Sequence, residues 1–362
     1  MILTRTSRFA FLVALLAVVG CSKTSDKSGP GDAPAKVANK DQRPPAANPS
    51  DSTIPMGTPT SQQPTKTRRP AAEQKAIDEI RKLYGKVQYA NDDPAAPVVG
   101  VSFKSQRRVK GTDLAILASL TSIQELNLDG TSVTDVSLLA PLTKLKVLYL
   151  PDLSPDHFDT LAKLPSLESL SVGIAKPSLS TAGIDNPYKN REATKAFESQ
   201  DFLSQGLERL CKSPSLKHLR LTQGGSATIG GHRPRANSFA PLSRLSTLVF
   251  LEIQPLFEAD EVFTDLSKCS SLQTLIVGNI SHKGMSNLSG SKSLKHLQLT
   301  NIVKDSDAIV RAASAIPTLE RFNYSVGRVS DSLLIELKRD NPRLVVEQKK
   351  RDLWNELVVG NQ

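Results

Sequence analysis

The sequence has only three cysteines in 362 residues, Cys21, Cys211 and Cys269, so each must be accounted for singly. Long apolar runs are as scarce. The one uninterrupted stretch, Phe9 to Val19, is too short to span a bilayer stably, which takes about 20 apolar residues. No long block of like charge accompanies the formal net charge of +10. Patterns that announce catalysis are missing as well. The five histidines are His157, His218, His232, His282 and His296. None pairs with another at i, i+4 around a Glu, which excludes the zinc-protease arrangement. Gly225 and Gly230 have the spacing of a phosphate loop, but Gly231-His232 follows where Lys-Ser or Lys-Thr is needed. No Gly-x-Ser-x-Gly elbow occurs, and no two carboxylates are placed together for acid/base work. Neither a metal, a cofactor nor a catalytic residue is expected.

What is present begins at the N-terminus. Arg5 and Arg8 precede the apolar run, and small residues lead into Cys21. This reads as a cleavable export signal over 1–20. Val-x-Gly-Cys at its end resembles a bacterial lipobox, and the resemblance implies that the Cys21 thiol is diacylated and becomes the new N-terminus. Ser22 after it is compatible with outer-membrane sorting. Exported to a cell envelope, a basic chain is not expected to meet nucleic acid; anionic lipid headgroups or cell-wall polymers fit its charge better. Residues 21–70 are rich in Pro, Ser, Thr, Lys and Asp and bury too little to order, so they read as a disordered tether. Coil scaling gives such a tether a mean reach of about 35–40 Å.

Order is expected from Ala71. Ala76, Ile77, Ile80, Leu83 and Tyr84 have helical spacing, with Gly85 as the stop. Val87–Tyr89 and Val98–Phe103 read as strands around the turn Asn91-Asp92-Asp93-Pro94. Residues 71–99 are thus an N-terminal cap, and the region they cover is a repeat. Nine registers align on Leu120, Leu142, Leu164, Ser213, Leu245, Cys269, Ser291, Ile316 and Asp340. Apolar residues stand three and six positions before each anchor, as in Leu117 and Leu114 or Leu337 and Leu334, predicting the buried face of a short helix. After each of the first eight anchors the period changes to two. Leu126-x-Leu128, Leu148-x-Leu150, Leu170-x-Val172, Leu219-x-Leu221, Leu251-x-Ile253, Leu275-x-Val277, Leu297-x-Leu299 and Phe322-x-Tyr324 predict strands with one buried face. Leu344-Val345-Val346 closes the last register.

Most strand-to-strand steps are 22 to 25 residues, the range of leucine-rich repeats. The expected fold over 100–348 is therefore an α/β leucine-rich-repeat solenoid, with parallel strands on the concave face and short helices on the convex face. Residues 349–362 form a C-terminal tail. Gly130-Thr131-Ser132-Val133-Thr134-Asp135 resembles the Gly-Thr-x-Val-Thr-Asp signature of a bacterial leucine-rich-repeat subfamily, echoed by Thr112-Asp113 and Ser330-Asp331. Members of that group are often lipoproteins with a short helical cap, which the resemblance implies here. Physically, Thr, Ser or Asp before an apolar helical run is an N-cap. The Asn common after the strand in other leucine-rich repeats is absent; Thr131, Leu153, Gly224 and Ile280 stand there.

Two steps are long. The segment 174–202 either hides a degenerate repeat or is a loop, and 224–235 is a glycine-rich basic insertion carrying His232, Arg233 and Arg235. Both leave just after a strand, so they should emerge on one edge, as binding loops or as neutral growth. Between the paired strand apolars stand Asn127, Tyr149, Ser171, Arg220, Glu252, Ile276, Gln298 and Asn323, which point away from the core. Tyr149 and Arg220 are residue types enriched at binding hot spots; the alternative is a merely solvated sheet face. Cys269 fills an apolar anchor slot and reads as a small hydrophobe. Cys211 lies beside the Leu210 column at a different offset, so a disulfide between them is not expected. The reading is a monomeric, lipid-anchored envelope protein that binds a protein or an envelope polymer without catalysis. A structural spacer is the alternative, and an enzyme ranks last.

Overall fold

A computed structural model of the chain describes residues 69–174, 200–222, 237–254, 260–302, 305–349, 354 and 356. Its frame is an 11-stranded sheet in which sequence order and spatial order coincide. The strands are β1 (Lys86–Tyr89), β2 (Val98–Ser102), β3 (Glu125–Asn127), β4 (Val147–Leu153), β5 (Ser169–Ile174), β6 (His218–Thr222), β7 (Phe250–Gln254), β8 (Thr274–Val277), β9 (His296–Leu299), β10 (Arg321–Tyr324) and β11 (Val345–Gln348). β1 and β2 are antiparallel, and every later pair is parallel. The chain is a leucine-rich-repeat solenoid.

Its register follows the leucine columns. Leu126 pairs with Leu148, Leu148 with Leu170, Leu170 with Leu219, Leu219 with Leu251, and so on to Phe322 with Val346. β5 and β6 are direct neighbours in the sheet. Most of 174–202, and 224–235, lie outside the described residues. One core runs behind the sheet; Leu126, Leu148, Leu170, Leu219, Leu251 and Leu275 are all fully buried in it. Burying each such leucine contributes roughly 1.5–3 kcal/mol. A hydroxyl column adds ties between units: Ser215 Oγ donates to Leu167 O (2.9 Å), Thr247 Oγ1 to Leu216 O (2.6 Å), Ser293 Oγ to Leu272 O (2.8 Å) and Thr318 Oγ1 to Leu294 O (2.8 Å).

The opposite side is of mixed helix type. Gly111–Ser119, Ser137–Leu139, Pro155–His157 and Ala240–Arg244 are 3₁₀ turns, whereas Phe158–Ala162, Phe202–Leu210, Val262–Leu266, His282–Leu288, Ser306–Ser314 and Asp331–Asp340 are α-helical. Apolar residues three apart eclipse one another in a 3₁₀ turn, which has three residues per turn, so the columns suit that form directly. In the last α-helix the expectation fails by one residue. Leu333 and Leu337 are buried, Leu334 is only half-buried and Asp340 is exposed. Four-residue spacing replaces three there because the helix is regular α.

The N-terminal end is covered by the helix Ala71–Lys82, which buries Ala76, Ile77 and Ile80. It ends in a Schellman arrangement: Tyr84 N donates to Arg81 O (2.9 Å) and Gly85 N to Ile80 O (2.8 Å). Tyr84, not the expected Gly85, takes the left-handed conformation, at φ +59°. Gly85 is needed for space, since a Cβ there would lie 2.6 Å from Ile80 and Phe103 side-chain atoms. The signature turn also has a local cause. Gly130 sits at φ +70° with Ser105 Cα only 3.1 Å from where its Cβ would be, and Thr131 Oγ1 donates to Leu128 O at 2.7 Å. Ser330 caps its helix by accepting from Leu333 N, and Ser281 does so from Gly284 N. Asp113 works from inside the first turn instead, accepting from Lys110 N at 2.8 Å.

Candidate functional site: the concave face

Alternation along each strand sends its central leucine inward and both neighbours to the concave face. Two columns result, aligned by the parallel register. One runs Val147, Ser169, His218, Phe250, Thr274, His296; the other runs Tyr149, Ser171, Arg220, Glu252, Ile276, Gln298 and then Asn323. Reading the sequence alone finds the second column and overlooks the first, although the same period of two specifies it.

Part of the face is buried: Glu252, Ile276, Gln298 and Asn323 are 5%, 2%, 3% and 1% exposed, whereas Asn127, Tyr149 and Arg220 are half-buried. Arg220 and Glu252 face each other across β6 and β7, with Arg220 Nε 2.6 Å from Glu252 Oε2. Glu252 is buried within this pair, and losing one member of a buried pair typically costs about 3–5 kcal/mol.

Beside this pair lies Trp354, fully buried and 205 residues from its hydrogen-bond partner Tyr149. Its Nε1–H donates to Tyr149 Oη at 3.3 Å. The Tyr149 and Phe250 rings meet it edge-on, with centroids at 6.1 and 5.7 Å and interplanar angles of 70° and 66°. The Arg220 guanidinium stands 4.7 Å from the centre of its ring, a cation–π contact worth roughly 0.5–2 kcal/mol. Val147 and Ile276 complete this cluster, which is separate from the core behind the sheet. Between β4 and β6, β5 presents only Ser169, Ser171 and Gly173 to the face. Nothing in the sequence of 349–362 marks Trp354 for this place, since a lone aromatic outside the repeat carries no period.

His218 shares a 2.8 Å hydrogen bond with Ser169 Oγ and lies edge-on to Phe250. Burial pushes its pKa below the ordinary imidazole value, with Glu168 opposing the shift and Lys217 adding to it. His296 is on β9, three strands away, so the two do not converge. Among the described residues no group of three or more His, Cys, Asp or Glu could hold a metal ion. Nor is any described helix long and apolar enough to cross a membrane.

The structure therefore brings Tyr149, Arg220 and Glu252 together around Trp354. It places Gln298 and Asn323 further along the face, on β9 and β10. Cys21, His232, Arg233 and Arg235 lie outside the described residues. Cys269 is buried in the core, and Cys211, half-buried, donates its thiol to Pro241 O at 2.8 Å; both are free thiols.

No family model matches the sequence, and no curated protein matches it. Solved structures similar to it include an internalin (inlF) from Listeria monocytogenes, at 18% identity and a TM-score of 0.37, covering 75% of this chain and 66% of that one. Another is an internalin C2 (inlC2) from the same species, at 15% identity and a TM-score of 0.35, covering 69% of this chain and 92% of that one. The alignment thus spans just under two thirds of the first of these chains.

Proposed function

We propose that this chain is a lipid-anchored, non-catalytic binding protein of a bacterial cell envelope, held to the outer membrane through Cys21. It engages a protein or envelope-polymer partner with its concave face. The observation that carries this reading is the convergence of Tyr149, Phe250, Trp354 and an Arg220–Glu252 pair on that face. Aromatic and arginine side chains in desolvated settings supply most of the energy at binding surfaces. The basic insertion 224–235 leaves just after β6, so it starts from the same part of the solenoid. A spacer role is the second reading, favoured by the burial of Gln298 and Asn323 in the isolated chain.

Two measurements test the parts separately. Cys21→Ala should move the protein from the membrane pellet to the soluble fraction; tight association of that variant with membranes refutes the anchor. In intact envelopes, crosslinking to a discrete partner should be lost in Tyr149→Ala and in a deletion of 224–238, while both variants keep the wild-type circular dichroism. Crosslinking that survives both changes removes the site assignment. A spacer would tolerate both changes and fail only when terminal repeats are cut.

A further inference from the structure

Trp354 is held through its indole N–H and its ring system. Its one donor is taken by the Tyr149 hydroxyl, the Arg220 guanidinium stands over its ring, and the Tyr149 and Phe250 rings pack against it in T-shaped geometry. Glu252 fixes that guanidinium from the neighbouring strand. The small Ser169 and Ser171 on β5 leave the central strand of this region without a large side chain. All of these groups belong to the solenoid, whereas the indole comes from the end of the chain. The cluster it joins is distinct from the core, so no repeat relies on Trp354 for its own leucine packing.

We infer that this socket is a recognition site for a tryptophan presented by an extended segment of a partner protein, with Trp354 as a built-in competitor. The inference rests on the reading of the concave face as the binding surface. A tethered group acts at an effective concentration of order millimolar. A second copy of this chain, offering the same indole at micromolar concentration, loses to that. A partner wins only by adding contacts beyond the indole. Its apparent affinity is reduced by the fraction of sockets that Trp354 leaves open.

The test uses the full-length chain and a synthetic peptide copying residues 347–362, together with the same peptide carrying Ala for Trp. Binding is read by fluorescence anisotropy of the labelled peptides. Trp354→Ala should bind the tryptophan peptide at least about tenfold more tightly than the wild-type chain, as removal of a cis occupant requires. The alanine peptide should not bind, and adding Tyr149→Ala to Trp354→Ala should abolish the gain. Equal binding by wild type and Trp354→Ala, or binding that ignores the peptide's tryptophan, overturns the inference. If Trp354→Ala does not fold, Trp354→Phe, a weaker occupant without the indole donor, takes its place; there any tightening over wild type is expected, and weaker binding than wild type overturns the inference. Concentration-dependent dimerisation of the wild type through Trp354 would overturn the choice of a foreign partner. The envelope crosslink does not enter this assay, so failure here leaves the broader binding proposal standing, and the two failures are distinguishable.

Discussion

Tyr84 occupies its turn as an unfavourable residue type: its φ is +59° and its side chain is 73% exposed. A non-glycine residue in this region costs roughly 1–2 kcal/mol, and an exposed ring returns little of it. Tyr84→Gly should therefore raise stability by about 1 kcal/mol, less the entropy that glycine adds to the unfolded chain. Denaturant unfolding measures this, and a destabilised variant would show that the ring has a packing role. The cysteines give a second residue-scale test. Burial, assisted by the nearby charges of Asp265 and Cys211, pushes the Cys269 thiol up to about 12. Burial likewise pushes Cys211 to about 11, with Arg244 pulling down and Glu208 pushing up. Only the thiolate is alkylated, so at pH 7.5 neither should react with iodoacetamide until the protein is unfolded. Mass spectrometry of native Cys21→Ala protein, in which these two are the remaining thiols, should find no adduct. Rapid native labelling at Cys211 or Cys269 would contradict their burial.

Between elements, an aspartate in one unit repeatedly grips a serine that opens the next. Ser238 Oγ donates to Asp201 (2.5 Å), Ser281 Oγ to Asp260 (2.6 Å) and Ser330 Oγ to Asp307 (2.5 Å), with Ser330 N adding a 2.8 Å bond to Asp307. The two Ser330 bonds hold the Asp307 carboxyl below its ordinary value of 3.8. A depressed carboxylate pKa contributes stability above the unfolded value, and that contribution is lost as pH falls through the folded one. Asp307→Asn should accordingly be less stable than wild type at neutral pH, with the difference closing below about pH 4. Urea unfolding at several pH values checks this, and a constant difference would refute the assignment. These links were half legible. The sequence marks Ser330 as a cap because an apolar helical run follows it, but its partner one unit back becomes visible only when the units are stacked. The same limit explains Leu333, since the column of threes gives no sign of where a 3₁₀ turn yields to a regular helix.

Over the whole molecule, the repeat period specified strand order, register and core face, because each leucine can be buried only by a neighbouring copy of itself. Occupancy of the concave face was not specified: alternation says which side chains point there, not that Trp354 returns from the end of the chain to meet them. The same architecture dictates how damage spreads. Each unit touches mainly the next, so stability is approximately a sum of local and nearest-neighbour contributions. Ile80 is fully buried on the terminal helix, which packs against β1 and the Gly111–Ser119 turn. Ile80→Ala removes buried methylene volume, typically worth about 2–5 kcal/mol. In a two-state globular domain that loss would reach every slow amide alike. Here it should speed hydrogen exchange in Lys86–Tyr89 and Val98–Ser102, with a weaker effect in Glu125–Asn127. Exchange in β6 to β9 should be unchanged. Exchange measured by mass spectrometry on wild type and variant distinguishes the two cases, and a uniform acceleration would mean that the solenoid unfolds as one cooperative block.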